Sequence, residues 1–211
     1  MLRYFRYGLV IQRVIERLRL VGINLDPYYL LREGVRPPEQ TDWSALAAEF
    51  PSSVLDPGDL AAVADCTRWA TVDRLQPRID KGHLCVVLKH RGRIAGYAWA
   101  DLVEVNDSSC DYPLGSGEAY IYDVFIVPEF RGRGVATYLR AESYRYLRKL
   151  DRHTYYSITE CFNTPALKFK KTLNAEILRV YLRVKIGRWQ IGQWLLRDYE
   201  RGRAKTAAET R

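Results

Sequence analysis

The run Tyr120-Ile121-Tyr122-Asp123-Val124-Phe125-Ile126-Val127-Pro128, followed by Glu129-Phe130-Arg131-Gly132-Arg133-Gly134-Val135-Ala136-Thr137, constrains this chain more than any other feature. An apolar, β-branched and aromatic stretch that stops at a proline predicts a buried strand. Beyond Gly134, residues Val135, Tyr138, Leu139, Tyr146, Leu147 and Leu150 recur three and four apart, which predicts a helix over 134–150. A strand, a glycine turn and a helix in that order aim the first free N–H groups of the helix past the strand end. Together with the positive end of the helix dipole they suit phosphate. Gly132 and Gly134 let the backbone approach a ligand without Cβ interference, and Arg131 and Arg133 add charge-assisted donors. The unit reads as a pyrophosphate cradle.

Two familiar cradles are excluded. A dinucleotide loop needs a glycine or alanine where Thr137 stands, and no Gly-Lys-Ser/Thr run of a P-loop exists. The pattern strand-x-Pro-x-x-Arg-Gly-x-Gly-x-Ala instead closely resembles motif A of the GCN5-related N-acetyltransferases, the GNAT family. Asn163-Thr164-Pro165-Ala166-Leu167-Lys168-Phe169 resembles that family's motif B and follows a strand-like run, Thr154 to Thr159. The stretches Leu84 to Leu88 and Ile94 to Ala98, joined by His90-Arg91-Gly92-Arg93, are similar to its two central strands. The resemblance covers roughly residues 52–186. It implies a mixed, mostly antiparallel α/β sheet flanked by helices, acetyl-coenzyme A as cofactor, and direct acyl transfer to a primary amine.

Carried onto this sequence, the resemblance assigns cofactor binding to the main chain at Phe125, Ile126 and Val127 and to the loop Arg131, Gly132, Arg133 and Gly134 with Val135 and Ala136. Asn163, Phe169 and Lys170 complete that set. Lys170 stands where family members often carry a tyrosine acid, which leaves Tyr138, Tyr155 and Tyr156 as other donors. The amine's base is expected on the motif A strand. Asp123 is the first candidate, because a carboxylate in an apolar strand is costly unless used or paired; its structural alternative is a cap or an arginine pair. Tyr122 and Glu118 are the further catalytic candidates, and Tyr120 shares their face. The phrase Gly117 to Phe125 is also similar to GNAT-like proteins of bacterial cell-envelope loci, which implies an amino sugar or an envelope precursor as acceptor. The competing reading is a coenzyme A-binding module without turnover.

The rest of the chain sets bounds. No apolar run approaches a membrane span, and no signal-peptide core is present, so the expected location is cytoplasmic. Four cysteines and three histidines show no metal-site spacing, and no metal is expected. A net charge of +8 suits a polyphosphate ligand, with nucleic acid or anionic lipid as rival explanations, and equally fits surplus arginine kept for solubility. Basic residues are not interleaved with aromatics in any nucleic-acid module, so no nucleic-acid partner is expected. Residues 1–50 read as an amphipathic basic helix (1–24) and a Pro/Gly-rich linker (26–40), residues 51–200 as the acetyltransferase domain, and 201–211 as a frayed tail. Packing or a homodimer contact is the preferred role of the helix, ahead of peripheral membrane contact. Helices are expected over 60–70, 72–81 and 164–173, a polar loop over 104–117, and strands over 175–186 and 189–196.

Overall fold

The computed structural model describes residues 12–34, 41–67, 69–107 and 110–200. Residues 1–11 of the basic helix, 35–40 of the expected linker and the tail 201–211 lie outside the described residues. The strands are β1 (Ile23–Glu33), β2 (Ser52–Val54), β3 (Leu84–His90), β4 (Arg93–Asp101), β5 (Glu104–Asp107), β6 (Cys110–Pro113), β7 (Glu118–Ile126), β8 (Thr154–Glu160), β9 (Glu176–Ile186) and β10 (Trp189–Asp198). Helix α1 covers residues 12–20. It is followed by α2 (Ser44–Glu49), α3 (Leu60–Ala64), α4 (Val72–Asp80), α5 (Val135–Lys149) and α6 (Thr164–Thr172).

Eight strands form one sheet in the order β10-β9-β1-β8-β7-β4-β3-β2. Every pairing is antiparallel except β7 with β8, which α5 joins as a crossover. The expected fold class is the one observed. Two expectations are corrected. Residues 26–33, read as the start of a linker from Pro27 and Gly34, belong to β1, between β8 and β9. Their alternation buries Tyr28 and Leu30, a strand pattern that Pro27 within it disguises. The polar loop 104–117 contains a small hairpin, β5 with β6, because Val105 is fully buried beneath it.

Period-two alternation assigns each face of the sheet its own cover. Val86 and Leu88 of β3 and Ala98 and Ala100 of β4 meet Val135, Leu139 and Leu147 of α5. Cys85, Val87, Tyr97 and Trp99, one residue out of step, meet Leu60, Val63 and Leu75 of α3 and α4. In β7 this parity breaks. Ala119 and Ile121 face α5, yet Ile126 also does, while Tyr122 and Phe125 both face α3 and α4. The register confirms an inserted residue: Tyr97 pairs with Phe125, but Trp99 pairs with Tyr122. Asp123 sits in the resulting bulge with φ +46°, a left-handed conformation that Asp tolerates better than most side chains.

Candidate functional site

The bulge decides what the site looks like. β7 and β8 pair only from Glu118–Thr154 to Tyr120–Tyr156, and beyond that the strands diverge. Among the described residues the edge of Ile121–Ile126 that faces β8 therefore has no strand partner. The gap is a cleft of about 460 Å³ lined by Ile121 to Ile126, by Ile158 and Thr159 of β8, by Pro165, Ala166, Phe169 and Lys170 of α6, and by Arg131, Ala136 and Arg140. A larger hollow of about 620 Å³ beside the β3–β4 turn contains none of the bulge residues.

At the mouth of the cleft the loop behaves as its glycines require. Gly132 and Gly134 have φ +77° and +79°, and a Cβ on Gly132 would meet no atom within 4 Å. Gly134 is the N-cap of α5, so the unpartnered first-turn amides of that helix open toward the loop. Arg131 Nε donates to the Ile126 carbonyl (2.9 Å), and its guanidinium lies over the Phe125 ring. Arg133 turns the other way, onto Glu49 (2.7 Å).

The remaining expected cofactor residues divide. Phe125, Ile126, Ala136, Phe169 and Lys170 line the cleft. The Val127 N–H donates to the Ala95 carbonyl and its carbonyl accepts the Phe130 N–H, so both of its main-chain groups are used within the fold, contrary to the expected cofactor role; the Val135 side chain is in the core, which leaves that residue only its main chain. Asn163 caps α6, its Oδ1 accepting the Ala166 N–H (3.1 Å). Lys170 lies beneath the cleft, its ammonium donating to Glu33 of β1. Glu33 also accepts from the Ser157 and Tyr144 hydroxyls and lies 3.3 Å from Arg140 Nε. Burial by itself would raise the Glu33 carboxyl, but Arg140 and Lys170 hold it down at about 2. Burial lowers Lys170, against the pull of Glu33. One carboxylate thus faces two buried cations, and among the described residues Arg140 Nη1 has no hydrogen-bond partner.

The expected catalytic residues are only partly brought together. Asp123 and Tyr122 adjoin at the bulge. Asp123 Oδ2 accepts from Arg78 Nη1 of α4 (2.5 Å), the arginine pairing that sequence offered as its alternative role. The Arg78 guanidinium also lies over the Trp99 and Tyr122 rings. Burial raises the Tyr122 phenol, with Arg78 opposing. Glu118 is at the opposite end of β7, five residues or about 16 Å from Asp123 along an extended strand. There it accepts from Tyr156 Oη (2.7 Å) and the Gly115 N–H (2.8 Å), tying a turn to β8. Sequence reading missed Arg78, His83 and Asp101 around Tyr122, since no motif marks them and only the sheet register brings them there.

A parallel strand pair opened by a bulge, with a glycine cradle at its mouth, defines an acyl-coenzyme A binding sheet. The Acetyltransferase (GNAT) family profile matches residues 43–174, more than half of the chain, and the chain belongs to that family. The cofactor is acetyl-coenzyme A, as in the family. Gly132, the first turn of α5, Arg131 and the open edge of β7 fit it: among the described residues nothing lies within 4 Å of a Cβ built on Gly132, and Arg140 Nη1 is an unused donor.

Solved structures share the fold. A GNAT-family acetyltransferase from Novosphingobium aromaticivorans DSM 12444 aligns with TM-score 0.52 and 17% identity over 75% of this chain and 64% of that one. A GCN5-related N-acetyltransferase from Sphaerobacter thermophilus gives 0.54 and 14% over 87% and 56%. The glucosamine N-acetyltransferase region of a fungal multi-domain β-N-acetylglucosaminidase gives 0.59 and 13% over 81% and 22%. The chain thus spans less than two thirds of each of these structures. No curated protein matches the sequence. Among the described residues no helix is long and apolar enough to cross a membrane.

Proposed function

We propose that the protein is a cytoplasmic N-acetyltransferase that passes the acyl group of acetyl-coenzyme A directly to the primary amine of a small molecule. The observation that carries this reading is the bulge at Asp123, which opens the cleft beside the glycine cradle and puts polar side chains at its floor. Bound there, acetyl-coenzyme A supplies an acyl group activated as a thioester. The open β7 edge binds and orients it through main-chain groups, Arg131 and the α5 amides hold its phosphates, and Phe125 and Phe169 exclude water. Tyr122 and Asp123 face the acceptor. Arg78 fixes the Asp123 carboxylate by charge-assisted hydrogen bonding. Beside Tyr122, a pocket of about 250 Å³ suits a small amine, and an amino sugar is the acceptor we put first. A homodimer belongs to this reading. Among the described residues β10 is an edge of the sheet, and it exposes Trp189, Ile191 and Trp194.

A screen of amino sugars, polyamines and amino acids for thiol release from acetyl-coenzyme A tests the proposal. Asp123→Asn discriminates it from a non-catalytic binding module, because asparagine keeps the left-handed backbone and removes only the charge. Transfer is expected to fall at least about tenfold, a change of about 1.4 kcal/mol, while coenzyme A affinity by calorimetry stays the same. Binding of coenzyme A with no thiol release from any amine would favour the binding module.

A further inference from the structure

Tyr122 does not end in solvent. Its Oη lies 2.5 Å from His83 Nδ1, and His83 Nε2 lies 3.1 Å from Asp101 Oδ2. Asp101 is buried at the end of β4, where its Oδ1 accepts the N–H groups of Val103 (2.8 Å) and Glu104 (3.2 Å). This carboxylate can only accept, so the His83 hydrogen is on Nε2 and Nδ1 presents a lone pair. The Tyr122 hydroxyl is then the donor to His83, and its own oxygen lone pair is left for another partner. The charged groups around His83 are Asp101 and Glu104, which raise its affinity for a proton, and Lys81, just past α4, and Arg78 of α4, which lower it. Burial, aided by those two cations, outweighs the carboxylates and holds the ring below the ordinary histidine range, so it is neutral at pH 7.

Tyr122 also has a particular place. Among the described residues it alone lines both the 460 Å³ cleft and the 250 Å³ pocket formed with Pro77, Arg78, Lys81, His83, Asp101 and Tyr120. One face of the reaction is thereby joined to the other through a phenol backed by a histidine and a carboxylate.

We propose that Asp101, His83 and Tyr122 form a proton relay, and that Tyr122 takes the proton shed by an acceptor amine bound in the smaller pocket. This rests on the acyl-transfer reading above. Tyr122 is the catalytic residue; His83 and Asp101 position it and hold the proton. As the amine nitrogen bonds to the acyl carbon, its N–H bond breaks with the electron pair staying on nitrogen, and the proton goes to Tyr122 Oη. The phenol's original proton passes to His83 Nδ1. One N–H bond, one O–H bond and the thioester C–S bond break, one C–N, one O–H and one N–H bond form, the C–S electron pair leaves as the coenzyme A thiolate, and the phenol ends neutral. The positive charge rests on the imidazolium, which donates to Asp101 from Nε2 until solvent removes the proton.

Nitrogen-15 NMR of the imidazoles in the full chain tests the geometry, since only three histidines need assignment. His83 is expected as the Nε2–H tautomer, titrating below 6.5, with Tyr122→Phe moving its signals. Thiol release from acetyl-coenzyme A with glucosamine, spermidine and free amino acids tests the role. The acid limb of kcat/KM should follow the His83 titration, since the protonated ring cannot accept. His83→Gln should abolish that limb and lower kcat by roughly 10²–10⁴-fold with KM for acetyl-coenzyme A unchanged. Tyr122→Phe, which keeps the ring, should lower kcat similarly and serves if His83→Gln does not fold. An Nδ1–H tautomer, or a full rate and an intact acid limb in either variant, overturns the relay alone. Wild-type protein that binds coenzyme A but turns over no amine overturns the acyl-transfer reading and the relay with it.

Discussion

Glu33→Gln is the perturbation whose size the structure fixes best. The carboxylate is fully buried, and its two oxygens accept from Lys170, Ser157 and Tyr144, with Arg140 beside them. Glutamine leaves two buried cations without a counter-charge and aims an amide N–H₂ at groups that are themselves donors. Removing one partner of a buried pair costs about 3–5 kcal/mol. The depression of the carboxyl from 4.5 to about 2 gives a similar figure, roughly 3 kcal/mol at 1.36 kcal/mol per pH unit. For a chain of this size that lowers Tm by roughly 6–20 °C. Lys170→Met should cost less, roughly 1.5–3 kcal/mol, because Arg140 still neutralises Glu33. Because the folded carboxyl is depressed, its stabilisation is fully present above pH 4.5 and is lost as pH falls toward 2. Urea melts of wild type from pH 5 to pH 3 should show that loss, and Glu33→Gln should show less of it. A Glu33→Gln cost under about 1 kcal/mol, or a Lys170→Met cost equal to or greater than it, would refute this account of the cluster.

Two further outcomes are expected. Gly132→Ala adds a Cβ that meets no protein atom, yet φ is +77°; calorimetry should show coenzyme A binding weakened at least about tenfold, or 1.4 kcal/mol, with a stability cost of only about 1–2 kcal/mol. Deleting residues 1–34 removes β1 from between β8 and β9, with buried Tyr28, Leu30, Leu31 and Glu33; the truncated chain should show no cooperative thermal transition by calorimetry.

The parts of this protein legible in its sequence are those whose signal is local. Alternation in β3 and β4, the three-and-four spacing of α5, and the glycines at 132 and 134 each report a backbone conformation within a few residues. They suffice for the fold class and the phosphate cradle. The N-terminal strand was masked by Pro27 within it and Gly34 just after it, because such turn residues outweigh alternation in a single sequence. It joins the sheet only because β8 and β9 offer it two edges and a buried face. The bulge was invisible for a different reason: an inserted residue shows as a change of parity only when β4 supplies the register, Trp99 against Tyr122 and Tyr97 against Phe125. The polar site followed from that register. Arg78 meets Asp123 across 45 residues, His83 meets Tyr122 across 39, and Lys170 meets Glu33 across 137. Contacts of that span leave no periodic trace in a single sequence. Sequence determined the glycine loop and the helix that follows it; tertiary structure decided which side chains meet at the cleft, because strand register and the splay of β7 from β8 set those distances.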